Sequence, residues 1–276
     1  MLTPTVPAAT ERLTTLLTTF GLTAAAREMV PRLTQAERQD VVPLLVEVFD
    51  IEAEERRQRR IARLRQAARL PPGKTFETLD DGRLPLPIVQ QLQQLATGAF
   101  LETATNVLAF GLPGVGKSHA LCAVGHALVE AGHHVLFTPA YALVQELLSA
   151  KRELELPRAL RKLDLFEVIL LDDLGYVQQS ADEAEVLFRL LAERYERRSV
   201  MVTSNLVFSE WDRIFMDKMA TAAAIDRLVH HAVILEFDGS SYRTDRSRAG
   251  SGTKSPSPAS ARRSRPAGPL VPRRRR

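Results

Sequence analysis

Apolar residues follow two different spacings along this chain, and the change between them divides it. Before residue 70 they recur every three or four positions, which predicts helices, beginning with Leu13, Leu16, Leu17 and Phe20. The next apolar stretch holds Pro43, which we expect near a helix start or at a kink. A strongly charged helix is predicted over 51–65, and Pro71-Pro72-Gly73 should end it. Residues 1–72 are therefore predicted to form a small all-helical domain.

From Asn106 onward, short apolar runs alternate with longer helical stretches, the rhythm of βαβ units around a parallel sheet. Five strands are predicted, near 107–110, 134–138, 167–172, 199–203 and 232–237. The intervening helices are predicted near 117–131, 140–150, 181–197 and 218–230. Residues 73–105 are predicted to be a linker with one amphipathic helix, from Leu86 to Gly98. The expected fold is α/β, with a five-stranded parallel sheet flanked by helices over 106–248.

Composition supports an ordinary globular protein. The chain has 276 residues, of which 45% are hydrophobic, 25% charged and 6% aromatic, which excludes a disordered chain or a small disulfide scaffold. Its one cysteine, Cys122, cannot form an internal disulfide. Neither a secretion signal nor a membrane span is recognisable, so a cytoplasmic protein is expected.

The net charge of +4 hides an asymmetry along the chain. Residues 239–276 carry eleven Lys and Arg against one acid, Asp245, so residues 1–238 are net negative. The segment 249–276 is also rich in Ser, Pro and Gly, and it is predicted to be a disordered basic tail. Such a tail either attracts nucleic acid through its charge or is simply a solvated extension.

The strongest motif is Gly111-Leu112-Pro113-Gly114-Val115-Gly116-Lys117-Ser118, which satisfies G-x-x-x-x-G-K-[ST] between a predicted strand and a predicted helix. Its glycines let backbone amides surround phosphate oxygens, Lys117 supplies positive charge, and Ser118 offers a hydroxyl to Mg²⁺. The alternative is a glycine-rich turn without a ligand. The predicted nucleotide contacts are Gly111, Pro113, Gly114, Val115, Gly116, Lys117, Ser118 and His119.

Polar residues follow the third and fourth predicted strands. Asp172 and Asp173 end the apolar run 168–171, at the sheet edge where α/β folds bind ligands. We expect Asp172 to hold hydrated Mg²⁺ and Asp173 to polarise the attacking water; an acidic helix cap is an alternative for Asp173. Asn205 ends the fourth strand and is either a turn residue or a hydrogen-bond donor to the γ-phosphate and the water.

Taken together, these motifs resemble the IstB-like family of transposition helper ATPases, which are related to the DnaC and DnaA branch of AAA+ P-loop proteins. The resemblance covers residues 10–248. It rests on the glycine loop with His119, and on the segments 170–176, 203–206, 209–211, 225–228 and 241–243. It also includes the linker 70–76 and the charged helix before it.

The resemblance implies an ATPase that needs ATP and Mg²⁺, forms a homo-oligomer on double-stranded DNA and acts on a cognate transposase. It also implies that Lys117, Asp173, Asn205 and Arg227 are catalytic, with Arg227 reaching the nucleotide of a neighbouring subunit. A salt bridge to Asp226 or to a neighbouring helix is the alternative for Arg227. Two features depart from the wider superfamily: Asp173 stands where Glu is more common, and the basic segment after Phe237 leads us to expect no helical lid after the last strand.

Two basic clusters are candidate DNA contacts. Lys151, Arg152, Arg158, Arg161 and Lys162 lie between the second and third strands, where the resemblance implies an extra helix facing DNA. Arg56, Arg59, Arg60 and Arg63 share one helix face, which either tracks phosphates or is balanced by its own Glu residues. None of the six histidines stands at zinc-ligand spacing with Cys or a carboxylate, so no structural metal is predicted.

The functional prediction is thus an ATP-hydrolysing transposition helper. A DnaC-type helicase loader is one alternative, and a nucleotide-gated DNA-binding scaffold with little hydrolysis is another.

Overall fold

The computed structural model describes residues 6–176, 180–215 and 218–238. Its five strands form one parallel sheet in the order β2-β3-β4-β1-β5. All five lie where the hydrophobic pattern predicts them: β1 Asn106–Gly111, β2 Val135–Pro139, β3 Val168–Asp172, β4 Ser199–Ser204 and β5 Ala232–Phe237. The predicted tail, 249–276, and the segment 241–243 lie outside the described residues.

Ten α-helices are found in these described ranges. Three precede the linker: α1 Val6–Thr19, α2 Thr23–Gln35 and α3 Val42–Ala68. The linker contains α4 Leu86–Ala96, and the sheet is flanked by α5 Lys117–Glu130, α6 Ala140–Arg152, α7 Leu156–Leu163, α8 Ala181–Arg194, α9 Asp212–Phe215 and α10 Lys218–Val229. Within the described part of the chain, no helix combines the length and the apolar character that spanning a bilayer requires.

Helices cover both faces of the sheet, as the α/β prediction requires. Alternate strand residues point to opposite faces. Ile169, Leu171 and Val202 pack with α6, α7, α8 and α10, whereas Leu170 and Met201 pack with α4 and α5. Because both faces are covered, β1, β3 and β4 are buried along almost their whole length rather than at alternate residues. The edge strand β5 is partly exposed.

The N-terminal helices have a small core of their own, yet α3 is not confined to it. Ala9, Leu13, Leu17 and Val42 form the buried centre of that core. The far end of α3, at Leu64 and Ala68, instead packs with the sheet-flanking helices. Pro43 occupies the first turn of α3, where it costs no internal hydrogen bond. The single helix α3 therefore connects the N-terminal core to the sheet.

Candidate nucleotide-binding site

The glycine-rich loop joins β1 to α5 and depends on backbone conformations that only glycine adopts readily. Gly111, Gly114 and Gly116 have φ angles of 143°, 86° and 101°. A Cβ added to Gly111 would also collide with the carbonyl oxygen of Phe237 in the neighbouring strand β5. The loop is consequently held close against the sheet, and α5 begins at Lys117, so its N-terminal amides lie at the loop.

Lys117 is the buried cation of this loop. Its ammonium donates hydrogen bonds to the carbonyl oxygens of Gly111 at 2.7 Å and Leu112 at 2.9 Å, although the residue is only 5% exposed. These bonds hold the charge inside the ring of loop amides. The neighbouring Ser118 is half-buried in the same first helical turn.

The tips of β3 and β4 are joined by a hydrogen-bond relay. The Thr203 hydroxyl donates to Oδ1 of Asp172 at 2.7 Å and accepts from the backbone N–H of Asp173 at 2.8 Å. Asp172 is half-buried, whereas Asp173 is exposed and left-handed, with a φ angle of 59°. The two adjacent carboxylates therefore differ in surroundings, as the predicted division of roles requires.

Asn205 lies one residue beyond β4. Its Oδ1 atom is buried and has no hydrogen-bond partner among the described residues. A Cβ on Gly175, in the turn after Asp173, would collide with this oxygen. Burying an amide oxygen without a hydrogen bond costs free energy, and a hydrogen-bond donor would relieve that cost. The position of Asn205 therefore fits a side chain that binds a water molecule or a ligand.

His119, a predicted nucleotide contact, touches the linker. Its Nε2 atom lies 3.0 Å from the Thr78 hydroxyl and 3.1 Å from the carbonyl oxygen of Thr75. Two turns further along the same face of α5, Nε2 of His126 lies 3.0 Å from the carbonyl oxygen of Pro71. The linker thus runs along the helix that opens at the glycine loop.

Arg227 lies at the end of the sheet where the strands begin, whereas the glycine loop lies at the end where they finish. Its carbonyl oxygen lies 3.4 Å from Nδ2 of Asn106, at the start of β1, and Gly111 is five residues further, roughly 16 Å along the strand. The guanidinium donates to Ala223 O at 2.9 Å and stands 5.0 Å from the centre of the Phe188 ring. It forms no ion pair with the described residues, Asp226 included.

The two basic clusters differ in how far their charge is neutralised. On α3, Arg56 and Arg59 pair with Glu52 and Glu55, both at 2.5 Å. Arg60 donates to the carbonyl oxygen of Gly132, and Arg63 completes this exposed face.

In the second cluster, Lys151 bonds Asp182 at 2.8 Å and Glu185 at 2.7 Å. Arg158 pairs only at 3.6 Å, with Glu155. Arg152, at the end of α6, and Arg161 and Lys162, on α7, are exposed and form no ion pair within the described ranges. The less neutralised basic surface therefore lies at the end of α6 and on α7.

Thr203 is the site residue that sequence reasoning missed. Its only signal is its place at a strand end beside Ser204 and Asn205. Leu171 pairs with Val202 in the sheet, which sets Thr203 beside Asp172, and this register is not readable from either strand alone.

A parallel sheet in this order, with a glycine-rich loop after β1 and a carboxylate at the end of β3, defines a P-loop protein of the AAA+ class. The sequence pattern of the IstB-like ATP binding protein family matches residues 14–250. The chain belongs to this family.

Individual relatives agree with that assignment. The chain is 47% identical to an insertion sequence ATP-binding protein of Sinorhizobium fredii, over 76% of this chain and 71% of the relative. It is 42% identical to the insertion sequence IS21 ATP-binding protein of Pseudomonas aeruginosa, over 72% and 75% of the two chains.

Solved structures agree in fold. DnaI superposes with a TM-score of 0.52 at 20% identity, over 62% of this chain and 96% of that one. Domain III of the Thermotoga maritima replication initiation protein DnaA gives 0.51 at 16% identity, over 66% and 73%. The predicted α/β fold of the AAA+ P-loop type is thereby confirmed.

Proposed function

We propose that this protein binds and hydrolyses ATP with Mg²⁺, assembles on double-stranded DNA as a homo-oligomer, and recruits or activates a cognate transposase. Nucleotide binding is supported above all by one observation. The glycine loop, Asp172 and Asn205 follow the carboxyl ends of β1, β3 and β4, and β4 lies between β1 and β3 in the sheet. Relatives named for insertion sequences support a transposition helper over a helicase loader.

The residues present fit a magnesium nucleotide. Loop amides and the Lys117 ammonium match phosphate oxygens, while the Ser118 hydroxyl and the Asp172 carboxylate are the hard oxygen ligands that Mg²⁺ takes. When bound, Mg²⁺ would neutralise charge on the phosphates. Asp173 would then orient the attacking water and accept its proton, and Asn205 would donate its amide to the γ-phosphate.

A slow enzyme is the expected consequence of Asp173. Its carboxylate is one methylene shorter than that of Glu, and its backbone is fixed by the bond to Thr203. Water is held less closely by a shorter side chain, so a nucleotide-gated scaffold with little turnover is the second candidate function.

The position of Arg227 supports the proposed assembly. Since it lies at the far edge of the sheet from its own loop, it could contact only the nucleotide of another subunit. Fingers supplied in trans contribute about 10³ to 10⁵ in rate, so hydrolysis should depend on oligomerisation.

We further propose that residues 1–72 form the partner-binding or DNA-binding domain, and that the exposed basic surface at the end of α6 and on α7 contacts duplex phosphates. Arg152, Arg161 and Lys162 lack the acidic partners that neutralise Arg56 and Arg59. Phosphate contacts of this kind position a protein on DNA without reading its sequence.

A subunit-mixing experiment tests the trans arrangement. Phosphate release is measured on duplex DNA for Asp172→Asn, for Arg227→Ala and for an equimolar mixture of the two. Each variant alone should be nearly inactive. In the mixture, Arg227 of the first variant can serve the intact nucleotide site of the second, so activity should return.

Two controls make this result interpretable. In the first control, the Lys117→Ala variant takes the place of the Arg227→Ala variant in the mixture. Every subunit then has a defective nucleotide site, so no activity should return. A mixture of Asp172→Asn and Arg227→Ala that stays inactive, although Arg227→Ala binds ATP normally, would refute the trans arrangement. ATP-dependent sedimentation on DNA without turnover in wild type would favour the scaffold.

A further inference from the structure

A second cluster of metal-binding side chains lies away from the nucleotide site. Glu196, His230 and His231 each place one ligand atom within 4.8 Å of the other two. Among the described residues this is the one group of three or more His, Cys, Asp or Glu that comes together in this way. All three are exposed, so an ion could reach them directly from solvent.

Two turns at the edge of the sheet where the strands begin bring these residues together. Glu196 belongs to the turn between α8 and β4 and has a left-handed backbone with a φ angle of 56°. Both histidines occupy the turn between α10 and β5. Because the chain turns there, the two adjacent rings lie on the same side, with their centres 4.3 Å apart.

Buried side chains hold the two turns in place. Asn106 accepts a hydrogen bond from Val200 N at 2.9 Å and donates one to Leu228 O at 3.1 Å, while its backbone N–H bonds His231 O at 2.7 Å. Arg194 is 2% exposed and donates to Ser199 O at 2.9 Å. The backbone on both sides of the cluster is therefore fixed before any ligand arrives.

We infer that Glu196, His230 and His231 form a binding site for a divalent transition metal of the Zn²⁺ class. Two imidazoles and one carboxylate are a ligand set that Zn²⁺ uses when its fourth position stays open to water or another ligand. Zinc-to-ligand distances near 2.1 Å place tetrahedral ligand atoms about 3.4 Å apart. The present atoms lie within 4.8 Å of one another, so binding requires these exposed side chains to rotate closer together.

The proposed site departs from the sequence-based prediction of no structural metal. The carboxylate stands 34 residues before His230, so no short spacing marks it. The Tyr195 hydroxyl lies 2.9 Å from Nδ1 of His230, the same atom that lies 3.7 Å from Oε1 of Glu196, so an ion bound at Nδ1 would displace this hydrogen bond.

A bound ion would join the end of α8 to the end of α10, three residues after Arg227. The site would thus brace the helix that carries the proposed finger. This inference does not depend on nucleotide binding, because the cluster lies at the opposite edge of the sheet from the glycine loop.

Metal titration of the full, untagged chain tests the inference. Zn²⁺ binding is followed by calorimetry, and Co²⁺ binding by the visible absorption of its d–d bands. The chain has only six histidines, which limits the alternative sources of signal. A matched control is the pair His133-His134, which also stands beside a glutamate, Glu167, but does not gather three ligand atoms.

Wild type should bind one equivalent of Zn²⁺. His231→Asn and Glu196→Gln should each weaken binding by at least about tenfold, the loss that removal of even an outer partner can cause. His134→Asn should leave affinity unchanged. Circular dichroism checks that each variant is folded. Absence of saturable binding in wild type, or equal affinity in wild type and both ligand variants, would overturn the site, and neither result would bear on ATP binding.

Discussion

The Thr203 hydroxyl and the Asp172 carboxylate, 31 residues apart in sequence, are joined by a 2.7 Å hydrogen bond. The same hydroxyl receives the backbone N–H of Asp173. Thr203 therefore fixes both the orientation of the proposed metal ligand and the turn that follows it. Its contribution is to position Asp172, since it supplies no ligand itself.

Thr203→Val should weaken the magnesium-dependent part of ATP affinity by about 10- to 100-fold, as loss of an outer-shell partner does. Thr203→Ser keeps the hydroxyl and should stay close to wild type. Titrating ATP with and without Mg²⁺ separates the two contributions. If the valine variant loses affinity equally under both conditions, Thr203 is structural rather than a positioning residue.

Gly111 should be the least replaceable glycine of the loop. An alanine there meets the carbonyl oxygen of Phe237 and requires a φ angle of 143°, so Gly111→Ala should lower the free energy of unfolding by about 1–3 kcal/mol or more. Gly73 has open space around it and provides the control. Urea unfolding measures both variants, and a Gly111→Ala protein as stable as Gly73→Ala would contradict the close approach of loop and strand.

Two asparagines, the buried Asn106 and the half-buried Asn205, should respond in opposite ways to replacement by alanine. Asn205 has an unpartnered Oδ1, so Asn205→Ala should cost little stability while reducing hydrolysis by about 10²-fold or more. Asn106 bonds both Val200 and Leu228, so Asn106→Ala should lower the free energy of unfolding by about 1–3 kcal/mol. Thermal unfolding and phosphate release distinguish them. Loss of stability without loss of turnover in Asn205→Ala would remove its proposed role.

The strands and the glycine loop were readable from sequence because each depends on local information. A run such as Val168–Leu171 needs only its own hydrophobicity to be recognised as a buried strand. The relay through Thr203 depends instead on the register between two strands, and the cluster at Glu196 depends on where two distant turns meet. Both are properties of tertiary structure.

Three helices escaped the periodicity analysis: α2, α7 and the four-residue α9. The helix α7 has only eight residues, too few for a repeating pattern, and its presence was anticipated only from the family resemblance. The helix α2 buries no residue fully and contains Pro31, so its apolar signal is weak. Leu44 and Val48 fit the helical spacing of α3, yet they are 59% and 54% exposed. Periodicity identifies an apolar helix face but does not show whether another element covers it.

The two basic surfaces should differ in their effect on DNA affinity. Each phosphate contact contributes close to one unit to the salt dependence of binding. The double change Arg161→Gln with Lys162→Gln should therefore reduce that slope by about two. Arg56→Gln with Arg59→Gln, whose charges already face Glu52 and Glu55, should reduce it less. Fluorescence anisotropy over a range of salt concentrations measures both, and the reverse order would assign DNA contact to α3.

The contact between α3 and α5 should be sensitive to acid. Arg65 donates two hydrogen bonds to the Glu130 carboxylate, at 2.6 and 2.7 Å, and they hold the pKa of Glu130 below its ordinary value of 4.5. A carboxylate with a lowered pKa stabilises the fold above pH 4.5, and this contribution is lost as the pH falls through the folded-state pKa. Both side chains are largely exposed, so the effect should stay below about 1 kcal/mol.

Glu130→Gln removes the titrating group while keeping its size. Unfolding in urea at several values between pH 7 and pH 3 should give wild type a steeper loss of stability than the variant, with the two curves converging at the acid end. Glu155→Gln, whose partner Arg158 lies 3.6 Å away within α7, serves as the control and should follow the wild-type curve. A constant difference between wild type and Glu130→Gln across this range would mean that Glu130 acts through packing against α3 rather than through its charge.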